Sequence, residues 1–226
     1  MMAWAVPVLL SALCLGCSGP TAEDGAGQEL TLSVVGLASA PDVAAIGEAR
    51  GGLGVSRAFV SVSALHLVPC VADASPIVLA PRGYDLLSLP PPSEGVTTAV
   101  SEFCSLQVDV APLSDDAPGG IAAGTSLQVA GLDADGVAFN LSSQSSASLS
   151  FEPVDGSSFG DQPLLLGFDL SVWLAGLPLP VEMADMSAQL FDAQLLDGAA
   201  LYVDANGNQA LDEAEQTPIA VAVPAR

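Results

Sequence analysis

Lysine is absent from this 226-residue chain, and basic residues of any kind are scarce. Four arginines and one histidine stand against 26 Asp and Glu residues, which gives a formal net charge of −22. Such a chain repels phosphate backbones and anionic lipid head groups, which argues against a nucleic-acid partner. The lack of lysine also excludes a Schiff base. It is typical of a high-GC genome or of adaptation to high salt, and the Leu, Val and Ala content favours the first.

Recognisable catalytic motifs are also missing. There is no G-x-S-x-G elbow, no P-loop and no dinucleotide fingerprint. The single histidine, His66, stands between two leucines of an alternating segment, which is typical of a packed or edge residue. Aromatic residues are few, and Trp173 is the only tryptophan beyond residue 17, which disfavours a sugar-stacking surface. We therefore expect a protein that is not an enzyme, with a carboxylate-pair glycosidase as the remaining enzymatic alternative.

Apolar residues make up half of the chain, whereas charged residues make up 13%. That apolar content is enough to offset the entropy of ordering a backbone, so we expect a folded domain.

The first 17 residues, MMAWAVPVLLSALCLGC, are apolar throughout. They are too few to span a bilayer as a helix but match the apolar region of a secretory signal. The chain then turns polar, and residues 18–29 are rich in Gly, Ser, Pro and acids, which predicts a flexible tether.

The end of this segment, CLGC, resembles the cleavage box of bacterial lipoproteins, although Cys14 replaces the usual Leu and no basic residue precedes the apolar run. The resemblance implies that Cys17 carries the lipid and becomes the mature N-terminus. It also implies that Ser18 directs the protein to the outer membrane of a Gram-negative cell. Lipid chains would hold the protein on a membrane that its charge repels. An ordinary cleaved signal or a short uncleaved anchor is the alternative.

Two cysteines, Cys70 and Cys104, remain beyond the signal. In an exported protein two such thiols commonly pair, so we predict a structural disulfide. Closing a span of this length is worth about 3–4 kcal/mol in the chain-entropy model. A metal site or a reactive thiol is disfavoured, since there is one histidine and no C-x-x-C beyond residue 17.

Most of residues 30–226 form short alternating segments bounded by turn residues. The clearest are SRAFVSVSALHLVP, with Ala58, Val60, Val62 and Ala64 on one face, and FCSLQVDVAPL. Such spacing predicts an all-β sandwich or barrel. The segment QPLLLGFDLSVWL starts as a strand and ends as a helical turn, and EMADMSAQLFDAQLLDGAA predicts one short helix near the C-terminus.

From residue 30 to about 174 the chain resembles a domain family of bacterial surface lipoproteins. The resemblance lies in SRAFVSVSALHLVP, YDLLSL, FCSLQVDVAPL and PLLLGFDLSVWL, in strand order and apolar texture. It implies an antiparallel β-sandwich, similar to immunoglobulin-like or prealbumin-like domains. No catalytic motif accompanies it, so it implies no active site.

One stretch, DANGNQALDEAE at residues 204–215, carries metal-ligand spacing. Counted from its first residue, oxygen donors fall at positions one, three, five, seven, nine and twelve, as in an EF-hand calcium loop: Asp204, Asn206, Asn208, the Ala210 carbonyl, Asp212 and Glu215. The stretch also resembles calcium loops of bacterial surface proteins that lack flanking helices. Gln209, however, occupies position six, where the turn requires Gly. The alternative is an acidic hairpin turn without a metal.

We therefore expect an exported, lipid-anchored, non-enzymatic envelope protein with a structural or adhesive role, stabilised by calcium. A ligand-binding module for carbohydrate or another envelope polymer is the alternative, and a glycosidase comes third. Its partners would be the membrane, through the anchor, and an envelope protein or polysaccharide.

Overall fold

The computed structural model describes residues 28–38, 43–44, 53–114, 122–133, 135–160, 162–174, 184–185 and 188–225. The signal segment, Cys17 and residues 18–27 of the predicted tether lie outside these ranges. The first strand begins at Gln28, so the last two residues assigned to the tether belong to the sheet.

Strands dominate the described residues, as the alternating pattern predicts. They are β1 (Gln28–Leu37), β2 (Val43–Ala44), β3 (Leu53–Pro69), β4 (Ile77–Leu79), β5 (Arg82–Asp85), β6 (Ser93–Thr98), β7 (Phe103–Val110), β8 (Leu127–Leu132), β9 (Ala138–Ser143), β10 (Ala147–Phe151), β11 (Leu164–Asp169), β12 (Ala184–Asp185), β13 (Ala199–Val203) and β14 (Ala220–Pro224).

These strands form one curled mixed sheet, in the order β12-β9-β8-β3-β7-β10-β14-β13-β11-β1-β6, with β2, β4 and β5 attached to β3. Strand β14 joins the two parts of this path. Its first residues, Ala220 and Val221, pair with β13, whereas Ala222 and the two residues after it pair with β10. The sheet therefore turns at β14 without a break in its hydrogen-bonded path.

Not all of the pairing is antiparallel, which corrects the sequence expectation. The pairs β1–β11, β2–β3 and β9–β12 are parallel. The longest of these parallel pairs is β1–β11, and in β11 the residues Leu164 to Phe168 are all buried. A strand covered on both faces has a continuous apolar run, which is typical of parallel pairing and differs from one-sided alternation.

The long strand β3 changes its buried face part of the way along. Ala58, Val60 and Val62 are buried, as the alternation predicts. Directly after Val62, the pairing of β3 with β7 shifts its register. Beyond it, Leu65 and Leu67 point into the core. The bulge supplies the extra residue that moves the alternation to the opposite parity.

The described part of the chain contains two helices, where the sequence predicted one helix and one helical turn. The turn after β11 is α1 (Leu170–Leu174), and the predicted C-terminal helix is α2 (Ala188–Gly198). A short 3-10 turn, Glu213–Glu215, lies between β13 and β14.

One hydrophobic core receives side chains from both parts of the curled sheet. Leu164, Leu166 and Phe168 come from β11, while Leu106 and Val108 come from β7 on the other side of β14. A shared core of this kind holds distant strands together, since no local pairing connects them.

The predicted disulfide between Cys70 and Cys104 is confirmed. The two Cα atoms are 4.8 Å apart, within the usual range for a bridge. The bond joins the end of β3 to the start of β7, beside the cross-strand pair Val68 and Ser105.

Candidate functional site

The acidic loop (residues 204–215) lies between β13 and β14, which are antiparallel neighbours. It starts where the Asp204 N–H donates to the Pro163 carbonyl, 2.9 Å away, just ahead of β11. The loop is thereby tied to two strands of the sheet before its own hydrogen bonds begin.

Asp204, at loop position one, is almost fully buried, with 2% of its surface exposed. One carboxylate oxygen accepts the N–H of Asn208 at 3.1 Å, and the other accepts the N–H of Gln209 at 2.8 Å. Charged acceptors make the stronger hydrogen bonds in proteins, so this carboxylate organises the turn even without a metal.

At position six the backbone adopts the conformation that the sharp turn of an EF-hand loop requires, although this position lacks the usual glycine. Gln209, at position six, has φ 61°, in the left-handed region that glycine favours. Gly207 has φ 70° in the same turn. A non-glycine residue in this region carries a cost of about 1–2 kcal/mol, which the contacts of Asp204 offset.

The middle of the loop converges on Asp212. Its Oδ2 accepts the side-chain amide of Asn206 at 2.6 Å and that of Asn208 at 3.1 Å. The amide oxygens of the two asparagines accept the N–H groups of Asn208 and Ala210. To coordinate a cation here, both asparagines would have to turn their oxygens toward Asp212, since an NH₂ group repels the ion.

Glu215 closes the loop by binding both of its ends. Its Oε1 accepts the Ala205 N–H at 2.8 Å, and its Oε2 accepts the Asp212 N–H at 3.1 Å. The second contact is half of a capping box on the 3-10 turn.

The structure thus joins every predicted ligand residue into one hydrogen-bonded loop, Ala210 through its N–H. Among the described residues, however, no group of three or more His, Cys, Asp or Glu side chains is positioned to hold a metal ion. The carboxylates face backbone N–H groups and amides instead of one another. Calcium binding stays a prediction at this point.

His66 lies on the sheet surface, with Nε2 3.6 Å from Oδ2 of Asp109. Ser148 donates its hydroxyl to the other oxygen of the same carboxylate, at 2.5 Å. The Asp109 carboxylate therefore lies between the Ser148 hydroxyl and the His66 imidazole. A nucleophilic serine needs a direct hydrogen bond to its histidine base, so these three residues are not arranged as a catalytic triad.

Trp173 and Tyr84, the aromatic side chains most able to line a sugar groove, are in the core. They are 0% and 1% exposed, respectively. Burial, followed by the charge of Glu94, raises the pKa of Tyr84 to about 12. Arg82 binds Glu94 at 2.6 Å and stands over the Tyr84 ring. Neither Trp173 nor Tyr84 can stack on a ligand from the surface.

Sequence reasoning did not find two features next to the acidic loop. Pro163, which anchors Asp204, carries no signal in the sequence, because its role depends on backbone placement alone. Leu211 is an apolar residue among acids, and that contrast could have marked it as a contact with the rest of the domain.

Within the described ranges, no helix has the length and apolar character needed to cross a membrane.

No family model matches the chain, and a search of curated proteins finds no match. Among solved structures, the chain is similar to MbnP from Methylosinus trichosporium, with a TM-score of 0.46 and 10% sequence identity. The similarity covers 70% of this chain and 81% of that one. At this level it carries no argument about function.

Proposed function

We propose that the protein is exported, lipid-anchored and non-enzymatic, that it has a structural or adhesive role in the cell envelope, and that its acidic loop binds calcium. The disulfide supports export, because such bonds persist in oxidising compartments. The lipid anchor at Cys17, with an outer-membrane location, is supported by the sequence motif alone.

The observation that carries the calcium proposal is the left-handed backbone of Gln209. Position six of a calcium loop needs this conformation, and the chain adopts it there without glycine. Asp204 and Glu215, at the first and last ligand positions, already contact the backbone on opposite sides of the turn. With three carboxylates, Asp204, Asp212 and Glu215, the affinity should match that of extracellular modules, about 10⁻⁴–10⁻³ M.

Calorimetry on the whole protein tests this directly. We expect calcium uptake with a dissociation constant in the range above, and its loss in Asp212→Asn, because this exposed side chain can change without disturbing the core. Asp155→Asn is the matched control, since Asp155 also accepts a backbone N–H in an exposed acidic turn. No heat of binding in millimolar calcium, or equal loss in both variants, would refute the calcium site.

The anchor has a separate test. Cys17→Ala should release the protein from the membrane fraction, whereas Cys14→Ala should leave it there. Unchanged fractionation of the Cys17 variant would rule out lipidation at this residue.

A ligand-binding module for carbohydrate or another envelope polymer is the second candidate, and a cavity beside the acidic loop supports it. With Trp173 and Tyr84 buried, the ligand would be an envelope polymer held by apolar and charged contacts, such as a protein. We further propose that the two parts of the curled sheet face each other as the layers of a sandwich, which their shared core supports.

A further inference from the structure

The strands β1 and β11 have a second buried face, opposite the core. Val35 and Leu165 are buried but do not belong to the main core cluster. Their side chains alternate with those of core residues such as Val34 and Leu166, so they point away from the core. Other parts of the chain must therefore cover the outer face of these strands.

Beside Val35, two segments leave space between them. The turn after β5 supplies Leu86, Leu87 and Leu89, and the acidic loop supplies residues 209–211. Between these segments and the end of β1 lies a cavity of about 320 Å³. A second cavity of about 410 Å³ shares Leu37, Ala38 and Leu211 with the first, and Asp169, Tyr202 and Gln216 complete its walls.

The two cavities are neighbours with three wall residues in common, and we call them together the apolar trough. Its floor depends on one glycine. A Cβ atom on Gly167 would lie 2.6 Å from Leu37 Cδ1 and 3.0 Å from Tyr202 Cε2. A larger residue at this position would push the floor outward.

The trough has opposite character at its two ends. Leucines line the end near β6, and Leu89 is 81% exposed at its mouth. At the other end Asp169 faces Tyr202, and burial together with the charge of Asp169 raises the pKa of that tyrosine. None of the described residues that line either cavity is basic.

We propose that the apolar trough docks a polypeptide segment that carries an apolar side chain beside a Lys or Arg. The leucine end would bury the apolar side chain, and Asp169 would pair with the cation. Cavities of this size are at the small end of ligand sites, which suits one or two side chains of an extended segment.

Charge complementarity selects this occupant. The net charge of −22 attracts a cationic segment over a distance and repels anionic polymers. A second copy of this lysine-free chain would meet the same repulsion. The inference names the partner class for the adhesive role and rests on that role, but it needs neither calcium nor the lipid anchor.

Fluorescence anisotropy tests it with the full-length protein in a neutral detergent. The probe is a labelled soluble peptide with two leucines among lysines. We expect binding that weakens as salt increases, because the attraction between exposed charges is screened. Peptides with glutamate in place of lysine, or serine in place of leucine, should bind more weakly.

Two variants locate the site. Leu89→Ser should weaken binding about five- to tenfold through lost apolar contact. Asp169→Asn should weaken it about two- to fivefold. Asparagine can still accept the Ser171 N–H at the start of α1, so the fold should persist. Val154→Ser is the control, because Val154 is 73% exposed on another loop.

No binding of the Leu-Lys peptide at millimolar concentration, equal binding of the glutamate peptide, or equal weakening by Val154→Ser would overturn the proposal. Repeating the peptide titration in a chelator separates the trough proposal from the calcium proposal. The trough should bind the peptide with and without calcium, whereas calorimetry with calcium alone tests the calcium site.

Discussion

Replacing Asp204 with alanine should separate the structural role of the acidic loop from its calcium role. The buried carboxylate accepts the N–H groups of Asn208 and Gln209. Hydrogen bonds to a charged acceptor contribute about 1.5–3 kcal/mol each, and water can partly replace them, since Asn208 is exposed and Gln209 half-buried. We therefore expect Asp204→Ala to lose about 2–4 kcal/mol of unfolding free energy with no calcium present.

Calcium should add a second difference between the two proteins. At about 10 mM calcium and a dissociation constant of 10⁻⁴–10⁻³ M, the wild type should gain about 1.4–2.7 kcal/mol of stability by mass action. The variant should gain nothing, because it lacks the first ligand. Magnesium at the same concentration should have a smaller effect, since that ion requires a stricter octahedral site.

Urea unfolding, followed by circular dichroism in chelator, magnesium and calcium, measures both quantities. If the wild type shows no calcium-dependent shift, the loop is a structural turn and the metal site is refuted. If Asp204→Ala is as stable as the wild type in chelator, the hydrogen-bond reasoning is wrong. Asp212→Asn provides an independent reading if the first variant fails to fold.

Three further perturbations follow from the structure. Replacing Cys70 and Cys104 together with alanine should lower the unfolding free energy by about 3–4 kcal/mol, and unchanged urea midpoints would contradict this. Because the folded-state pKa of Tyr84 is raised from 10.0 to about 12, stability should hold below pH 10 and fall between pH 10 and 12, by up to about 1.4 kcal/mol per unit. Tyr84→Phe should reduce this alkaline loss, and an identical pH profile would disprove the assignment. Gln209→Gly should stabilise the loop by about 0.5–1 kcal/mol and tighten calcium binding. Gln216→Gly is the control and should do neither, because Gln216 has φ −68°. Equal effects of the two variants would refute the role of the left-handed backbone.

The alternating pattern predicted most strands because side-chain alternation is a local property of an extended chain. The same reasoning failed in β3, where one extra residue after Val62 reverses the buried face. It also failed for the pairing of β1 with β11, in which Leu32 meets Leu164. Partners so far apart in sequence are chosen by packing on both faces, which no short window of sequence contains.

By itself, the sequence determined the acidity, the mostly β character, the disulfide partners and the oxygen-donor spacing of the acidic loop. Each of these depends on composition or on residues a few positions apart. Only the tertiary structure decided that Gln209 adopts a left-handed backbone, that Trp173 is buried and that Leu211 lines one cavity with Leu37 and Tyr202. The physical reason is that these features arise from contacts between distant segments, whose free energy overrides the local preference of each residue.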